Sequence, residues 1–258
     1  MDTITHSLIL PPSPEESLRF DRVLNRILSS AHKRGSIGTL SEKTTHLVLK
    51  HFLEEDTRFH EVKVGDFVAD IFDGERIIEI QSRSFGNLKR KLAVFLDVAP
   101  VTVIYPVSVN NTIFWISPVT GEFKEQRKSG KHGRAEDIFG ELVFIKEFLN
   151  HPGLSFRLMF LETGDYRLLD GYGPDNKKHS TRYDQVPKVW LGDCAIKSLS
   201  DYVNLIPGDL SPEFTAKDFG RAAKLPSRLS SRAVNVLSHV GAIRRIGKKG
   251  RSFLYTKK

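Results

Sequence analysis

The stretch GDFVADIFDGERIIEIQ, residues 65–81, decides the fold that we predict for this chain. Two apolar runs in it are separated by Asp73-Gly74, a dipeptide typical of two-residue β-hairpin turns because both positions tolerate a positive φ. A further run of strand-forming residues at 60–64 precedes them. We therefore expect three short strands, of which the last two, 67–72 and 76–81, form a tight antiparallel hairpin.

Two carboxylates lie on the arms of this hairpin. A two-residue turn sets Phe72 opposite Glu75, and therefore Asp70 opposite Ile77. Because Ile77 and Glu79 share one face of their strand, Asp70 and Glu79 become diagonal neighbours. A carboxylate within an apolar strand is costly to bury unless it is paired or metal-bound. The pattern predicts a functional site, and a structural ion pair is the alternative that produces the same pattern.

Converging carboxylates of this kind predict a site for Mg²⁺ or Mn²⁺. Magnesium prefers hard oxygen ligands and keeps several positions for water and phosphate. Asp70, Glu79 and the backbone carbonyl of Ile80 supply such ligands. A cation held there would activate a water molecule and stabilise charge on a phosphate. The expected chemistry is metal-dependent phosphodiester hydrolysis.

The segments around the hairpin predict an αβββαβ order within an α/β (α+β) fold. A capping-box pattern at 39–42 starts a helix that runs to about residue 53, and a similar pattern at 13–16 starts an earlier helix. A helix at 87–96 and an apolar strand at 101–105, buried on both faces, follow the hairpin. An α+β extension is expected after them, with an apolar segment at 114–116 that leads into a turn at 118–121, a basic loop at 124–134, a helix at 135–149, and strands at 156–161 and 166–169.

These residues resemble the core of the PD-(D/E)XK, or restriction-endonuclease-like, nucleases. GDFVADI at 65–71 followed by IEIQ at 78–81 is similar to the D…E-x-K motif of that family, in the family's order of helices and strands. The resemblance implies that Asp70 and Glu79 are metal ligands. It also places Glu42 where some members have an acidic residue beside the metal, although a capping-box role explains Glu42 equally well.

Gln81 stands where this family usually has a lysine. Glutamine orients a water molecule but supplies no positive charge. Some active members have glutamine there and others recruit a lysine from a neighbouring element, for which Lys63, Lys89 and Lys91 are the candidates. The departure keeps a second interpretation open, in which the core is an inactive nuclease fold that acts as a DNA-binding regulator or adaptor. A protein-interaction module is a third interpretation, which explains the basic C-terminal tail poorly.

The tail from residue 215 onward carries twelve Lys and Arg against one acidic residue, Asp218. Helices predicted at 216–223 and 226–240, followed by strands at 242–246 and 252–255, resemble a winged helix-turn-helix domain. The resemblance implies that the second helix lies in the major groove of DNA and that the tip of the hairpin, the wing, contacts the backbone. The DNA-binding side chains expected from it are Ser227, Arg228, Ser231, Arg232, Asn235, Lys248, Lys249 and Arg251. The alternative is a winged helix that contacts protein.

The charge and composition of the whole chain limit the partners and the location that these hypotheses allow. Its net charge of +8 suits a polyanionic partner, and we expect double-stranded or branched DNA, without deciding between a monomer and a homodimer. A single cysteine, Cys194, and the lack of a secretory signal or a membrane-spanning tract favour the cytoplasm. We expect a nuclease-like domain at 1–206 and a winged helix-turn-helix domain at 207–258, joined near Pro207-Gly208.

Overall fold

A computed structural model of the chain describes residues 9–33, 44–171 and 180–257. Its helices are α1 (Pro14–Lys33), α2 (Thr44–Leu53), α3 (Leu88–Phe95), α4 (Phe139–Leu142), α5 (Leu199–Asn204), α6 (Ala216–Ala222) and α7 (Ser227–Val240). Its strands are β1 (His60–Val64), β2 (Phe67–Phe72), β3 (Ile77–Ile80), β4 (Val101–Ile116), β5 (Phe123–Lys128), β6 (Leu154–Leu168), β7 (Thr181–Ile196), β8 (Glu213–Phe214), β9 (Ile243–Lys249) and β10 (Ser252–Lys257).

A large mixed sheet organises the described residues. Its seven strands follow the order β1-β2-β3-β4-β6-β7, and β5 pairs with the distal part of β4. β3, β4 and β6 are mutually parallel, whereas the β1-β2, β2-β3 and β6-β7 pairs are antiparallel. The protein is therefore a mixed α/β protein of the α+β type, as the sequence predicts.

Helices cover both faces of this sheet. On one face α1 and α2 pack through Phe20, Phe52 and Trp190, whose rings contact one another with centroid distances of 4.9–6.0 Å. On the other face α3 and the segment around α4 bury a larger cluster that includes Phe85 and Phe156. Because β4 lies between β3 and β6 and is covered on both faces, its first residues are almost wholly buried, as the apolar run at 101–105 predicts.

Several boundaries differ from the sequence predictions. β4 continues to residue 116, so the apolar segment at 114–116 is its distal end, and the two strands predicted at 156–161 and 166–169 are the single strand β6. The basic loop predicted at 124–134 begins as β5. The helix predicted at 135–149 is three short turns, 3-10, α and 3-10, and the backbone leaves helical geometry at Ile145 within the last of them.

The hairpin register predicted from Asp73-Gly74 is wrong. Phe72 pairs with Ile77, not with Glu75, so the loop contains four residues rather than two. The Asp73 carboxylate accepts hydrogen bonds from the backbone of both Glu75 and Arg76, at 2.9 Å each, and this side chain closes the wider turn. The shift moves Asp70 from a diagonal position to one directly across from Glu79.

The tail folds as predicted in its helices. Thr215 caps α6 in a reciprocal capping box, and Gly241, with φ of 85°, ends α7. β9 and β10 form the predicted hairpin, to which β8 adds a short third strand. α5 is a further short helix before β8. The tail shares one hydrophobic cluster with the sheet, since Phe214, Phe219 and the buried face of α7 belong to the same cluster as α3 and α4.

Candidate functional site

The site forms where strands β2 and β3 separate. Their regular backbone pairing ends at Ile71 and Ile78. One step further, the backbone N–H of Asp70 donates to Glu79 Oε1 at 3.2 Å, and the backbone N–H of Ile80 donates to Asp70 Oδ2 at 2.7 Å. The two carboxylates therefore take the place of carbonyl partners in the ladder. This exchange brings Asp70 and Glu79 together, as the sequence predicts, through a contact that the predicted register does not contain.

Lys91, one of the three candidate lysines, reaches this pair from α3. Its Nζ donates to Glu79 Oε1 at 3.1 Å and to Oε2 at 2.8 Å. Lys89, two residues earlier on α3, forms an ion pair with Glu147 on the surface instead. Lys63 is exposed on β1. Of the three lysines that the sequence leaves open, Lys91 is the one that meets the carboxylates.

The pKa values of the two carboxylates are shifted in opposite directions. Burial and the charge of Asp70 raise the pKa of Glu79 to about 7, against the lowering effect of Lys91, and the residue is only 1% exposed. Burial also opposes ionisation of Asp70, but a hydrogen bond and the charge of His46, with the Ile80 amide, outweigh it and lower the pKa of Asp70. His46 Nε2 lies 3.1 Å from Asp70 Oδ2. Asp70 is thus the carboxylate that stays ionised most readily.

The carboxylates lie in a cleft of about 940 Å³ that is open to solvent. α2, the start of α3, the end of β3 and the first residues of β7 form its walls. Two residues that line it, Glu61 and Ser84, are non-glycine residues with positive φ, of 52° and 62°. Such backbone strain concentrates at functional sites. The basic side chains on its walls are His46, Lys50, Arg83, Lys91 and Arg182.

Several of these residues were missed by the sequence analysis. Lys50, which is 3% exposed, donates to Glu61 at 2.5 Å. Arg182 is held over the cleft by the fully buried Asp165, with 2.6 Å between Arg182 Nε and Asp165 Oδ1. Asp184 accepts from the backbone N–H of Thr44 and caps the start of α2. Lys50 belongs to no recognisable motif on α2, and Arg182 and Asp184 lie on β7, about a hundred residues from the motif. Residue spacing therefore predicts none of the three.

Gln81 and Ile80 line the cleft beside the carboxylates. The Gln81 amide nitrogen donates to the carbonyl of Arg83 at 2.5 Å, which fixes the side chain and leaves its oxygen without a hydrogen bond from the described residues. Arg83 lies on the wall of the same cleft. Glu42, the third expected acidic residue, lies outside the described residues. In the described ranges, no three His, Cys, Asp or Glu side chains are grouped as metal ligands.

The predicted DNA-binding residues of α7 divide into two groups. Ser227, Arg228 and Ser231 are exposed. Arg232, in contrast, is half-buried and donates to the carbonyl of Gly140 at 2.6 Å. Asn235 is exposed like the first group, but it accepts from Lys146 at 3.1 Å, so it also contacts the segment around α4. The predicted wing residues Lys248, Lys249 and Arg251 are all exposed at the hairpin tip.

A family model described as a domain of unknown function, DUF8091, matches residues 43–197. The chain belongs to this family. Every residue that lines the cleft falls within the DUF8091 domain, whereas α5 to β10 follow it. An uncharacterized protein of Treponema pallidum (strain Nichols) is 28% identical over 156 residues, which make up 60% of this chain and 59% of the relative. The chain thus spans less than two thirds of that relative. No solved structure matches the chain.

None of the helices in the described ranges has both the length and the apolar composition needed to cross a membrane.

Proposed function

We propose that the chain is a metal-dependent DNA endonuclease, with a PD-(D/E)XK core in the DUF8091 domain and a winged helix-turn-helix at its C-terminus. The observation that carries the proposal is the contact of Asp70, Glu79 and Lys91 within one open cleft. The order α2-β1-β2-β3-α3-β4 supports a nuclease-like core, and α5-β8-α6-α7-β9-β10 supports a winged helix. Lys91 supplies the positive charge that Gln81 lacks.

The residues fit a hard divalent cation such as Mg²⁺ or Mn²⁺. Asp70 Oδ1 accepts no hydrogen bond from the described residues, and it belongs to the carboxylate whose pKa is lowered. Two carboxylates and a backbone carbonyl leave about half of the octahedral coordination positions to water, and proteins usually hold magnesium with several waters in place. Asp70, Glu79 and the Ile80 carbonyl would hold the cation. When bound, it would lower the pKa of a water molecule and neutralise charge on the phosphate.

The side chains of the cleft have separate tasks in hydrolysis. Arg83 and Arg182 hold the phosphates of the DNA strand, since guanidinium groups donate bidentately to phosphate oxygens. Gln81 accepts a hydrogen bond from the attacking water and orients it towards phosphorus. The Lys91 ammonium stabilises the negative charge that develops on the phosphate. As the oxygen of the attacking water bonds to phosphorus, the water releases a proton to solvent. The P–O bond to the leaving strand breaks, and the oxygen of that strand takes up a proton from solvent. His46 is a positioning residue that keeps Asp70 ionised.

A second candidate function follows from the same contact. Lys91 donates to both oxygens of Glu79, and a lysine in that position neutralises the carboxylate without a metal. A core that kept this ion pair permanently would be an inactive nuclease fold, and the chain would bind DNA as a regulator or adaptor.

Cleavage assays distinguish the two functions. Plasmid and branched DNA are incubated with the full chain and Mg²⁺ or Mn²⁺, and the wild type is compared with Glu79→Gln and Lys91→Met. The matched control is Lys89→Met, which removes a lysine from the same helix without touching the cleft. Cutting that Glu79→Gln and Lys91→Met abolish and Lys89→Met retains would establish the nuclease. Binding without cutting, with both metals and all DNA forms, would favour the regulator.

A further inference from the structure

We infer that the distal half of the sheet holds one DNA strand where it leaves the cleft, on a row of three arginines, Arg127, Arg167 and Arg182. The inference rests on the proposed function for its choice of DNA as the partner. It deepens that function, because Arg182 lines the cleft whereas the other two extend the binding surface beyond it, on β5 and β6. The buried Asp165 is the positioning residue of this row.

The register of the sheet places the three arginines on one face. Arg182 on β7 pairs with Arg167 on β6, and Arg167 pairs with Trp115 on β4. Arg127 on β5 lies opposite Ile113, two residues before Trp115. Residues directly opposite each other share a face of a sheet, and so do residues two apart on one strand. The row therefore starts at the cleft and crosses β7, β6, β4 and β5 in that order.

A buried carboxylate orients two of the three side chains. Asp165 lies on β6 two residues before Arg167 and is fully buried. Its Oδ2 accepts from Arg167 Nε at 3.1 Å and Nη2 at 2.9 Å, and from Arg182 Nη2 at 2.9 Å. These bonds occupy one edge of each guanidinium group. The Nη1 group of each donates to no residue that the structure describes, so it is available to a ligand.

The available edges of these two guanidinium groups suit phosphate. A guanidinium group donates two parallel hydrogen bonds to phosphate oxygens. The side chains of Arg167 and Arg182 are 31% and 44% exposed, so a ligand reaches both, and two cations against one carboxylate leave a net positive charge. Because Asp165 already restricts both side chains, they lose less freedom when a phosphate binds. The two arginines therefore form a prepared site for one phosphate of the strand.

Arg127 continues the row on the outer strand. It is exposed, and its guanidinium carbon lies 5.4 Å from the centre of the Trp115 ring. This cation–π contact holds Arg127 in line with the row, because Trp115 lies on β4 between β5 and β6. Neighbouring strands are about 4.8 Å apart, so the three steps from β7 to β5 cover about 14 Å. Phosphates follow one another at about 3.4 Å along the axis of a strand, so the row spans about four nucleotides.

A row that is one side chain wide has a defined consequence for binding. It contacts a single strand, and contacts to phosphate carry no sequence information directly. Each phosphate of a single strand that a cation neutralises adds about 0.7 to the slope of log affinity against log salt. We therefore expect the row to contribute salt-dependent affinity for a single strand.

The test measures binding of a fluorescein-labelled 16-nucleotide oligothymidylate by fluorescence anisotropy over a series of salt concentrations. Every protein is the full chain with Glu79→Gln, which separates binding from cutting. Arg127→Gln removes the outer end of the row without touching a buried carboxylate. The matched control is Lys188→Gln, which removes an exposed cation of β7 that lies 4.5 Å from the Phe114 ring, on the other face of the sheet.

Asp165→Asn separates orientation from charge. The substitution raises the net charge by one, so a surface that attracts DNA by charge alone would bind the oligonucleotide more tightly. If Asp165 orients the two arginines, binding becomes about tenfold weaker in spite of the added charge. Arg167→Lys tests the same site with its charge kept, and thermal melting checks that both variants are folded. Arg127→Gln decides the inference if they are not.

Arg127→Gln is expected to bind about tenfold more weakly and to lose about 0.7 units of salt slope. Arg167→Lys loses the forked donor and should bind about threefold more weakly, whereas Lys188→Gln should stay within about twofold of the parent. Unchanged binding by Arg127→Gln, tighter binding by Asp165→Asn, or an equal loss in Lys188→Gln would overturn the inference. So would absence of binding, or equally tight binding of polyglutamate through the same row. Losses confined to the row, together with failure of the wild type to cut, would refute only the nuclease.

Discussion

The attachment of α7 to the core can be measured through Arg232→Ala. The substitution removes a charge-assisted hydrogen bond to Gly140 and a cation–π contact with Phe144. Bonds of the first kind contribute about 1.5–3 kcal/mol, and the second adds about 0.5–1 kcal/mol at a partly exposed site. Because Arg232 is only half-buried, we expect the lower end, a loss of about 2 kcal/mol and a melting temperature lower by about 6 °C.

The assay is urea unfolding followed by circular dichroism, with Arg228→Ala as the matched control. Arg228 lies one turn earlier on α7 and is exposed, so its substitution should change stability by less than about 0.5 kcal/mol. Since α7 and the sheet share one hydrophobic cluster, both variants should unfold in one transition with an unchanged m-value. Equal midpoints for the two variants, or a separate early transition of the tail, would refute the reasoning.

Three further outcomes are expected. Lys91→Met should cost about 2 kcal/mol in urea unfolding because it leaves a buried carboxylate without its cation, whereas Lys89→Met should cost less than about 0.5 kcal/mol. Mn²⁺ at about ten times its dissociation constant should raise the free energy of unfolding of the wild type by about 1.4 kcal/mol, and EDTA should reverse the effect. The ion should have no effect on Asp70→Asn, and stabilisation of that variant would refute Asp70 as a metal ligand. Gly133→Ala, whose new Cβ would lie 2.6 Å from a backbone oxygen, should destabilise by about 1–3 kcal/mol, while Gly130→Ala, which meets nothing within 4 Å, should be near neutral in thermal melts.

Local signals predicted the ends of several helices well. The Ser13 capping box forms as written, since the Ser13 amide donates to Glu16 and the Glu16 amide donates to Ser13. Gly241 ends α7 in the left-handed conformation that favours glycine. These signals depend on residues a few positions apart, so they can be recognised from the sequence alone.

Non-local contacts escaped prediction. The length of the hairpin loop was misjudged because the Asp73 side chain stabilises a wider turn than the Asp-Gly dipeptide favours. The choice of Lys91 over Lys89 depends on the rotation of α3 against the sheet, and the position of Arg182 depends on β7 lying beside the cleft. Each is fixed by packing between distant segments, which residue spacing does not report.

The exchange of backbone partners at the end of β2 and β3 also links architecture to chemistry. Asp70 and Glu79 each accept a hydrogen bond from a backbone amide of the opposite strand, and they thereby keep β2 and β3 from extending their backbone pairing. Truncating either residue to alanine would remove this acceptor and leave a backbone amide without its hydrogen bond. β2 and β3 could then extend their backbone pairing across the site. The amide isosteres keep an acceptor oxygen in place, so Asp70→Asn and Glu79→Gln separate loss of charge from loss of shape.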